Sequence, residues 1–271
     1  MSIVLTLEIC ATWTALGFGL LAIGLFSFNR AGELEPTWSH AYYSVWVGFA
    51  VVMAGLMVWH FLLPVDDRAL LMFASAAALA LVVERRWLAS LLRLPFNQPF
   101  AVVIIGFALW TANHALASTF AYDDYRYEFQ AIRWFHDYPL VPGLANLHGR
   151  IGFNNSHHLF AALLSAGPWR GSVNRIFNGM FIVLAAVLLL DAVRDLAKGT
   201  KGSIERSLFP ALLVCPCVGL VLFGELGPML ATLKADAFVG AATLVLACLF
   251  VKWAAVPPGT ASRLFWQQRR W

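Results

Sequence analysis

The residues best suited to chemistry lie in one long stretch, Ser118–Arg175, between apolar parts of the chain. Asp123 and Asp124 come early in it, and His148 and Arg150 follow in its middle. A positioned carboxylate removes a proton from an attacking hydroxyl group. Cationic side chains stabilise negative charge that accumulates on a leaving phosphate. This combination indicates group transfer from a phosphate-bearing donor, with Asp123 as the first candidate base.

Further candidates stand in the same stretch and at a later helix entry. Arg133 is a further candidate for binding the donor phosphate, and Asp236 is a further candidate catalytic acid. The candidates for substrate binding, before a short apolar run, are Asn154, His157 and His158. Adjacent histidines on a helix point about 100° apart and do not bind one metal together. Carboxylates suit Mg²⁺ or Mn²⁺, so a divalent cofactor is compatible with the stretch, although no ligand spacing requires one.

Each candidate also has a simpler interpretation. Asp123 or Asp124 is equally explained as the cap of a helix N-terminus, although no capping box follows either residue. His148 and Arg150 suit loop carbonyls or lipid headgroups as well as a donor phosphate. Asp236, which follows Lys234, is also placed to cap the last apolar helix.

Residues Tyr125–Tyr138 are predicted to form the helix that positions these groups. Polar residues recur at helical spacing from Asp123 to Asp137. Another face carries Tyr125, Phe129, Ile132 and Phe135, with Trp134 and Tyr138 beside it. A helix with this pattern, rich in Trp and Tyr, is typical of the membrane–water boundary. The polar side is also explained as the solvent-facing side of an interfacial helix.

Composition sets the class of the whole chain. Hydrophobic residues make up 60% of the 271 residues, and charged residues only 13%. Soluble domains carry about 25% charged residues. This composition argues against a soluble enzyme, a disordered tail, a collagen-like chain or a nucleic-acid-binding module. It predicts an all-α polytopic transmembrane bundle forming one domain, with membrane lipids rather than nucleic acid as partners.

Seven apolar segments are candidate membrane spans, since a spanning helix needs roughly 20 apolar residues. They are Leu5–Phe28, Ala41–Leu63, Ala69–Val83, Pro99–Ala117, Ile176–Leu190, Leu208–Phe223 and Ala237–Val251. With alternating loops, twelve Lys and Arg residues fall on one side and seven on the other. The richer side is expected to be cytoplasmic. The stretch Ser118–Arg175 would then lie outside the bacterial inner membrane.

Two sequence motifs resemble a poorly characterised bacterial family related to the GT-C superfamily of lipid-linked sugar transferases. They are YDDYRYEFQAIRW (Tyr122–Trp134) and VPGLANLHGRIGF (Val141–Phe153), the latter followed by Asn154-Asn155-Ser156. The resemblance implies a polyprenyl-phosphate sugar donor and an outer-loop acid, which here is Asp123. It also implies a longer chain with more spans, so this chain would be a shortened or inactive relative.

Two other classes of function compete with the transferase. A transporter or channel subunit would use polar residues inside spans, such as His60, Asn113 and His114, to line a path. A non-catalytic assembly partner needs neither set of residues. The transferase predicts its critical groups in the outer loop, whereas the transporter predicts them within the membrane.

Overall fold

The computed structural model describes residues 2–29, 34–95, 98–116, 123–151, 156–197 and 229–254, and every regular element in these ranges is helical. The helices are α1 (Ser2–Phe28), α2 (Trp38–His60), α3 (Asp67–Val83), α4 (Arg85–Leu92), α5 (Gln98–His114), α6 (Phe129–Asp137), α7 (His157–Ser165), α8 (Phe177–Ala197) and α9 (Asp236–Ala254). A π-helical turn, Asp124–Glu128, leads directly into α6. The predicted all-α class is confirmed.

Three of the described helical stretches are long and apolar enough to cross a membrane. They are Ile3–Phe28, Trp38–His60 and Val173–Asp191. Residues 236–251 form a shorter apolar helix, and α3 and α5 have 17 residues each. The predicted segment Leu208–Phe223 lies outside the described residues. The chain is therefore a candidate membrane protein, while the seven spans stay a prediction.

The long helices α1 and α2 pack closely because glycines stand where they cross. A Cβ atom on Gly24 would overlap the Ser44 carbonyl, and one on Gly48 would overlap the Leu20 carbonyl. Backbones of two helices approach this closely only where side chains are absent. This pair forms one wall of the bundle, and α3 and α5 pack against α1.

The short helix α7 lies inside the bundle, with every residue from His157 to Leu164 buried. Its Phe160 ring meets Phe49 of α2 edge-on, with ring centroids 5.1 Å apart. Phe49 also packs against Phe181 of α8 and Phe238 of α9, each at 5.2 Å. Such offset and edge-on ring pairs add to simple area burial. The aromatic cluster thus joins α7 to three longer helices.

The π-turn and α6 confirm the predicted helix over residues 125–138 and most of its predicted buried face. Ile132 is 3% exposed, and Phe129 and Phe135 pack partly against the core. Tyr125, expected on the same apolar face, is instead 63% exposed. The wider π-turn closes a bond from the Phe129 N–H to the Asp124 carbonyl, five residues back. Asp124 and Glu128, four residues apart, occupy the buried side of this turn.

Candidate functional site

Asp123 lies between two cationic side chains at the start of the π-turn. Arg150 donates from Nη1 to its Oδ1 at 3.1 Å, and the Lys234 Nζ lies 3.6 Å from its Oδ2. Arg150 also donates to the Tyr127 hydroxyl at 3.2 Å, and its guanidinium lies 5.1 Å from the centre of that ring. The cluster therefore combines residues from the π-turn, the following loop and the segment before α9. We call Asp123, Tyr127, Arg150 and Lys234 the surface cluster.

Asp124, the next residue, points into the protein and is fully buried. Its Oδ1 accepts a hydrogen bond from the Thr232 hydroxyl at 2.6 Å and another from the Leu233 backbone N–H at 3.1 Å. A buried carboxylate is tolerated when such donors replace the lost water. Asp123 precedes the π-turn without making a side-chain cap bond. Simple helix capping thus explains neither acid.

Glu128 lies four residues after Asp124 on the same buried side and is 5% exposed. Burial, the hydrogen bond to Asp124 and the negative charges of Asp124 and Asp123 raise the pKa of Glu128 to about 9, opposed by Lys234. The carboxyl group is therefore protonated at neutral pH. A neutral Glu128 beside an ionised Asp124 avoids the cost of two like charges in one buried site.

Residues 231–235 form an irregular segment before α9, and Ala231, Thr232 and Leu233 within it are buried. Asn174, in the turn before α8, and Asn178, on α8, hold this region in place. The two hydrogens on Asn178 Nδ2 are shared among the carbonyls of Met229, Thr232 and Lys234, which lie at 3.1, 2.9 and 3.1 Å. Asn174 donates to the Ala231 carbonyl at 3.1 Å. These bonds satisfy backbone groups that a helix would satisfy internally. Together with Asp124, they fix the backbone that carries Lys234.

The predicted substrate-binding histidines lie behind the surface cluster, at the start of the buried helix α7. His157 is 5% exposed and His158 is 1% exposed, and their ring centroids are 4.0 Å apart. Burial lowers the pKa of His157 to about 4 and that of His158 to about 3. Both rings are therefore neutral at physiological pH. Their location indicates a structural role in the core next to Asp124 and α9.

The other predicted site residues are distributed around this cluster. Arg133 is turned toward Asp137 on its own helix, with Nε 3.5 Å from the carboxylate. His148 is exposed and its ring stacks on Tyr127 with centroids 6.2 Å apart, which places it beside the surface cluster. Asp236 is exposed at the first position of α9 and contributes its charge near His157. Asn154 lies outside the described residues.

The donor set around these acids does not fit a metal centre. Within the described ranges, no group of three or more His, Cys, Asp or Glu residues is arranged to hold a metal ion. Asp123 already faces two cations, and one oxygen of Asp124 already accepts two hydrogen bonds. The two acids therefore do not form a Mg²⁺ or Mn²⁺ site in this arrangement.

An apolar cavity of about 400 Å³ lies near the other end of α6. Its wall includes His60 at the end of α2, Phe135 of α6, Leu159 of α7 and the loop residues from Pro139 to Ala145. The loop is attached there by a 2.8 Å hydrogen bond from the Leu140 N–H to the His60 carbonyl. It then returns toward Asp123, where Arg150 reaches the carboxylate.

Sequence reasoning missed Glu128, Tyr127, Lys234 and the two anchoring asparagines. The spacing contained a signal for the first two, because residues four apart lie on the same side of a helical turn. Tyr127 follows Asp123 by four positions, and Glu128 follows Asp124 by four. Nothing local marks Asn178 as the partner of a segment more than fifty residues later.

Comparison with known proteins identifies the family but not an activity. The chain belongs to the family described as "Domain of unknown function (DUF8201)", which matches residues 1–255. No curated protein and no solved structure matches the chain. The family match covers α1 to α9, and with them the surface cluster and the buried acids. Members of this family are therefore the natural homologues in which to test these residues.

Proposed function

We propose that the protein transfers a sugar from a polyprenyl-phosphate-linked donor to an acceptor hydroxyl group at the membrane surface. The observation that carries the proposal is the surface cluster. It offers one carboxylate, Asp123, directly beside two cations on a bundle of apolar helices. A base for the acceptor and positive charge for the leaving phosphate are the two requirements of this reaction.

Each group has a defined part in the proposed step. The acceptor oxygen attacks the sugar carbon that is linked to the donor phosphate. The carbon–oxygen bond to the phosphate breaks, and its electron pair leaves with the phosphate. Asp123 takes the acceptor proton, while Arg150 and Lys234 stabilise the released negative charge. His148, beside Tyr127, extends the polar surface on which the sugar would lie.

Two secondary roles remain for predicted residues that stand beside the cluster. Asp236 begins α9 two residues after Lys234, and its carboxylate is exposed to an approaching acceptor. Arg133 lies on α6 with 80% of its side chain exposed, and it is available to lipid phosphates at the membrane boundary. Both contribute less than Asp123 and Arg150, because neither contacts the surface cluster among the described residues.

The apolar cavity supports a lipid-linked donor rather than a soluble one. From Asp123 to Phe135 the chain advances twelve residues, or roughly 18 Å at the α-helical rise. A donor with its phosphate at Arg150 has an apolar tail that reaches this far. The cavity of about 400 Å³ beside Phe135 offers that tail a place outside water.

A transporter has weaker support from the arrangement of its candidate residues. His60 packs edge-on against Phe135 at the end of α2, with centroids 4.9 Å apart. The Nδ1 atom of His114 lies 2.9 Å from the carbonyl oxygen of Trp110 on the same helix, α5. His60 and His114 thus contact different groups, whereas a permeation path needs polar groups that face one another.

The test is transfer of labelled sugar from a polyprenyl-phosphate donor in vesicles that contain the purified protein. Asp123→Asn keeps the shape of the side chain but removes the base, so the rate should fall by about 10²–10⁴-fold. Asp137→Asn is the matched control, because Asp137 is an exposed acid on α6 whose contacts are with Arg133 and His136. Arg150→Lys should retain part of the activity lost in Arg150→Ala. Lysine keeps the positive charge but cannot make the two parallel hydrogen bonds of a guanidinium group.

Transfer by the wild type with an unimpaired Asp123→Asn variant would contradict the assignment of the base. Vesicles in which the wild type transfers no sugar, but moves a solute that Asn113 and His114 variants fail to move, would favour the transporter. If the wild type shows neither transfer nor flux but co-purifies with another membrane protein, the result would favour the assembly partner.

A further inference from the structure

The two oxygens of Asp123 each face a different cation, in the way that two oxygens of a phosphate group would. Arg150 lies 3.1 Å from Oδ1, and Lys234 lies 3.6 Å from Oδ2. The side chains remain accessible, with 53% of Arg150, 38% of Lys234 and 25% of Asp123 exposed. An anion from outside can therefore reach both cations without unfolding the surrounding helices.

Lys234 differs from an ordinary surface lysine because its backbone is fixed on both sides. The Lys234 carbonyl accepts from Asn178, and the preceding N–H, that of Leu233, donates to buried Asp124. The Lys234 N–H itself donates to the Thr232 hydroxyl at 3.3 Å. Three buried polar side chains thus hold one short segment. The interior of the protein therefore fixes the backbone position from which the Lys234 side chain extends.

Arg150 is held on the opposite side of the carboxylate by Tyr127. The phenol oxygen accepts a hydrogen bond from the guanidinium, which also lies over the aromatic ring. Neither contact requires Asp123 to remain in place. If the carboxylate moves away, Arg150 and Lys234 still face one another across a gap that suits a tetrahedral anion.

We propose that Asp123 is the internal counter-ion of a phosphate-binding site, and that a lipid monophosphate group exchanges with it. The phosphate takes Arg150 and Lys234, and the Asp123 carboxylate is released toward the acceptor hydroxyl. In the ligand-free protein the base is masked by the same cations that later hold the leaving group. The choice of a lipid phosphate as ligand rests on the proposed function, whereas the exchange itself rests on the geometry of the cluster.

The exchange has a consequence that a purely structural ion pair does not have. Asp123 competes with the phosphate for both cations, so a neutral residue at position 123 should strengthen phosphate binding. The same substitution should abolish proton removal. Binding and transfer should therefore respond in opposite directions to one change.

The test measures binding of labelled hexadecyl phosphate to the full chain in detergent micelles, with hexadecanol as the uncharged reference. Removal of a competing charge near 4 Å should make Asp123→Asn bind about fivefold more tightly. Lys234→Ala and Arg150→Ala should each bind about fivefold less tightly for the same reason. Arg68→Ala is the matched control, because this exposed arginine pairs with Asp66 at 2.8 Å on α3. It should bind as the wild type does.

Inorganic phosphate distinguishes the two sources of the anion. Displacement of labelled hexadecyl phosphate by the unlabelled lipid alone would assign the site to a lipid headgroup. Equal displacement by inorganic phosphate would assign it to the phosphate group without its tail. Both results support the exchange, provided that Asp123→Asn binds more tightly than the wild type.

Equal or weaker binding by Asp123→Asn would overturn the exchange, as would unchanged binding by both Lys234→Ala and Arg150→Ala. Asp123→Ser supplies a second neutral replacement if the asparagine variant fails to fold in the micelle. Tighter binding by a variant that still transfers sugar would keep the exchange and remove Asp123 as the base. The two proposals therefore fail separately.

Discussion

Asp123 and Asp124 are adjacent acids with opposite environments, and the difference between them separates chemistry from architecture. Asp123 is held at the surface by two long, accessible cationic side chains. Asp124 is enclosed and receives hydrogen bonds from a hydroxyl and a backbone N–H. An exposed ion pair contributes little to stability and exchanges readily, whereas removal of a buried carboxylate leaves its donors without an acceptor and costs more.

The same division applies one turn later. Tyr127 continues the surface side and binds Arg150, while Glu128 continues the buried side next to Asp124. The π-turn therefore presents two pairs of residues, one to the solvent and one to the interior. The first pair is accessible from outside, and Asp124 of the second pair holds the segment that supplies Lys234.

The largest effect that we expect is on stability, from Asp124→Ala. The Thr232 hydroxyl and the Leu233 N–H would both lose their buried acceptor, at about 1–3 kcal/mol for each unsatisfied group. Asp123→Ala should cost less than about 1 kcal/mol, the usual range for an exposed pair. Thermal unfolding in micelles, followed by circular dichroism, measures the difference. Equal midpoints for the two variants would remove the distinction between the acids.

Asn178→Ala should destabilise the protein by about 1–3 kcal/mol, because the buried carbonyl of Thr232 and the partly buried carbonyls of Met229 and Lys234 lose their donor. Asn174→Ala is the matched comparison, since it removes one such bond from the same segment. The expected order of melting temperatures is wild type, Asn174→Ala and then Asn178→Ala. An Asn174→Ala variant less stable than Asn178→Ala would mean that the segment is held elsewhere.

Stability should also fall with rising pH on account of Glu128. Its pKa is raised from 4.5 to about 9 in the folded protein, so the folded state keeps a proton that the unfolded chain loses above pH 4.5. The contribution is full below pH 4.5 and is lost progressively toward pH 9. One proton gives a slope of at most about 1.4 kcal/mol per pH unit. Glu128→Gln should flatten the pH dependence of the melting temperature, and an unchanged slope would contradict the raised pKa.

The smallest effect should come from Arg133→Ala. This residue forms an i,i+4 pair with Asp137 and is 80% exposed, so its loss should change stability by only about 0.3–0.5 kcal/mol. Binding of hexadecyl phosphate should change far less than in Arg150→Ala. A comparable loss of binding in the two variants would extend the phosphate site along α6.

Much of the framework follows from local pattern. The apolar runs predict α1, α2 and α8 to within a few residues at most ends, and the aromatic periodicity predicts the helix over residues 125–138. Composition alone predicts the all-α class. These features depend on residues close together in the chain, which is why one sequence suffices to find them.

The environment of each of the two acids depends on contacts between distant parts of the chain. Asp123 and Asp124 have the same side chain and differ by one position, so no local pattern separates them. Asp124 is assigned to the interior by Thr232 and Leu233, more than a hundred residues later. Asp123 is assigned to the surface by Arg150 and Lys234.

The sequence by itself determined an apolar helical bundle and an amphipathic helix that begins with two acids. Only the tertiary structure decided that Glu128 carries a proton and that Lys234 belongs beside Asp123. The physical reason is that helix formation depends on periodic side chains within a few turns. Charge state and ion pairing instead depend on burial and on donors that the fold brings from remote helices.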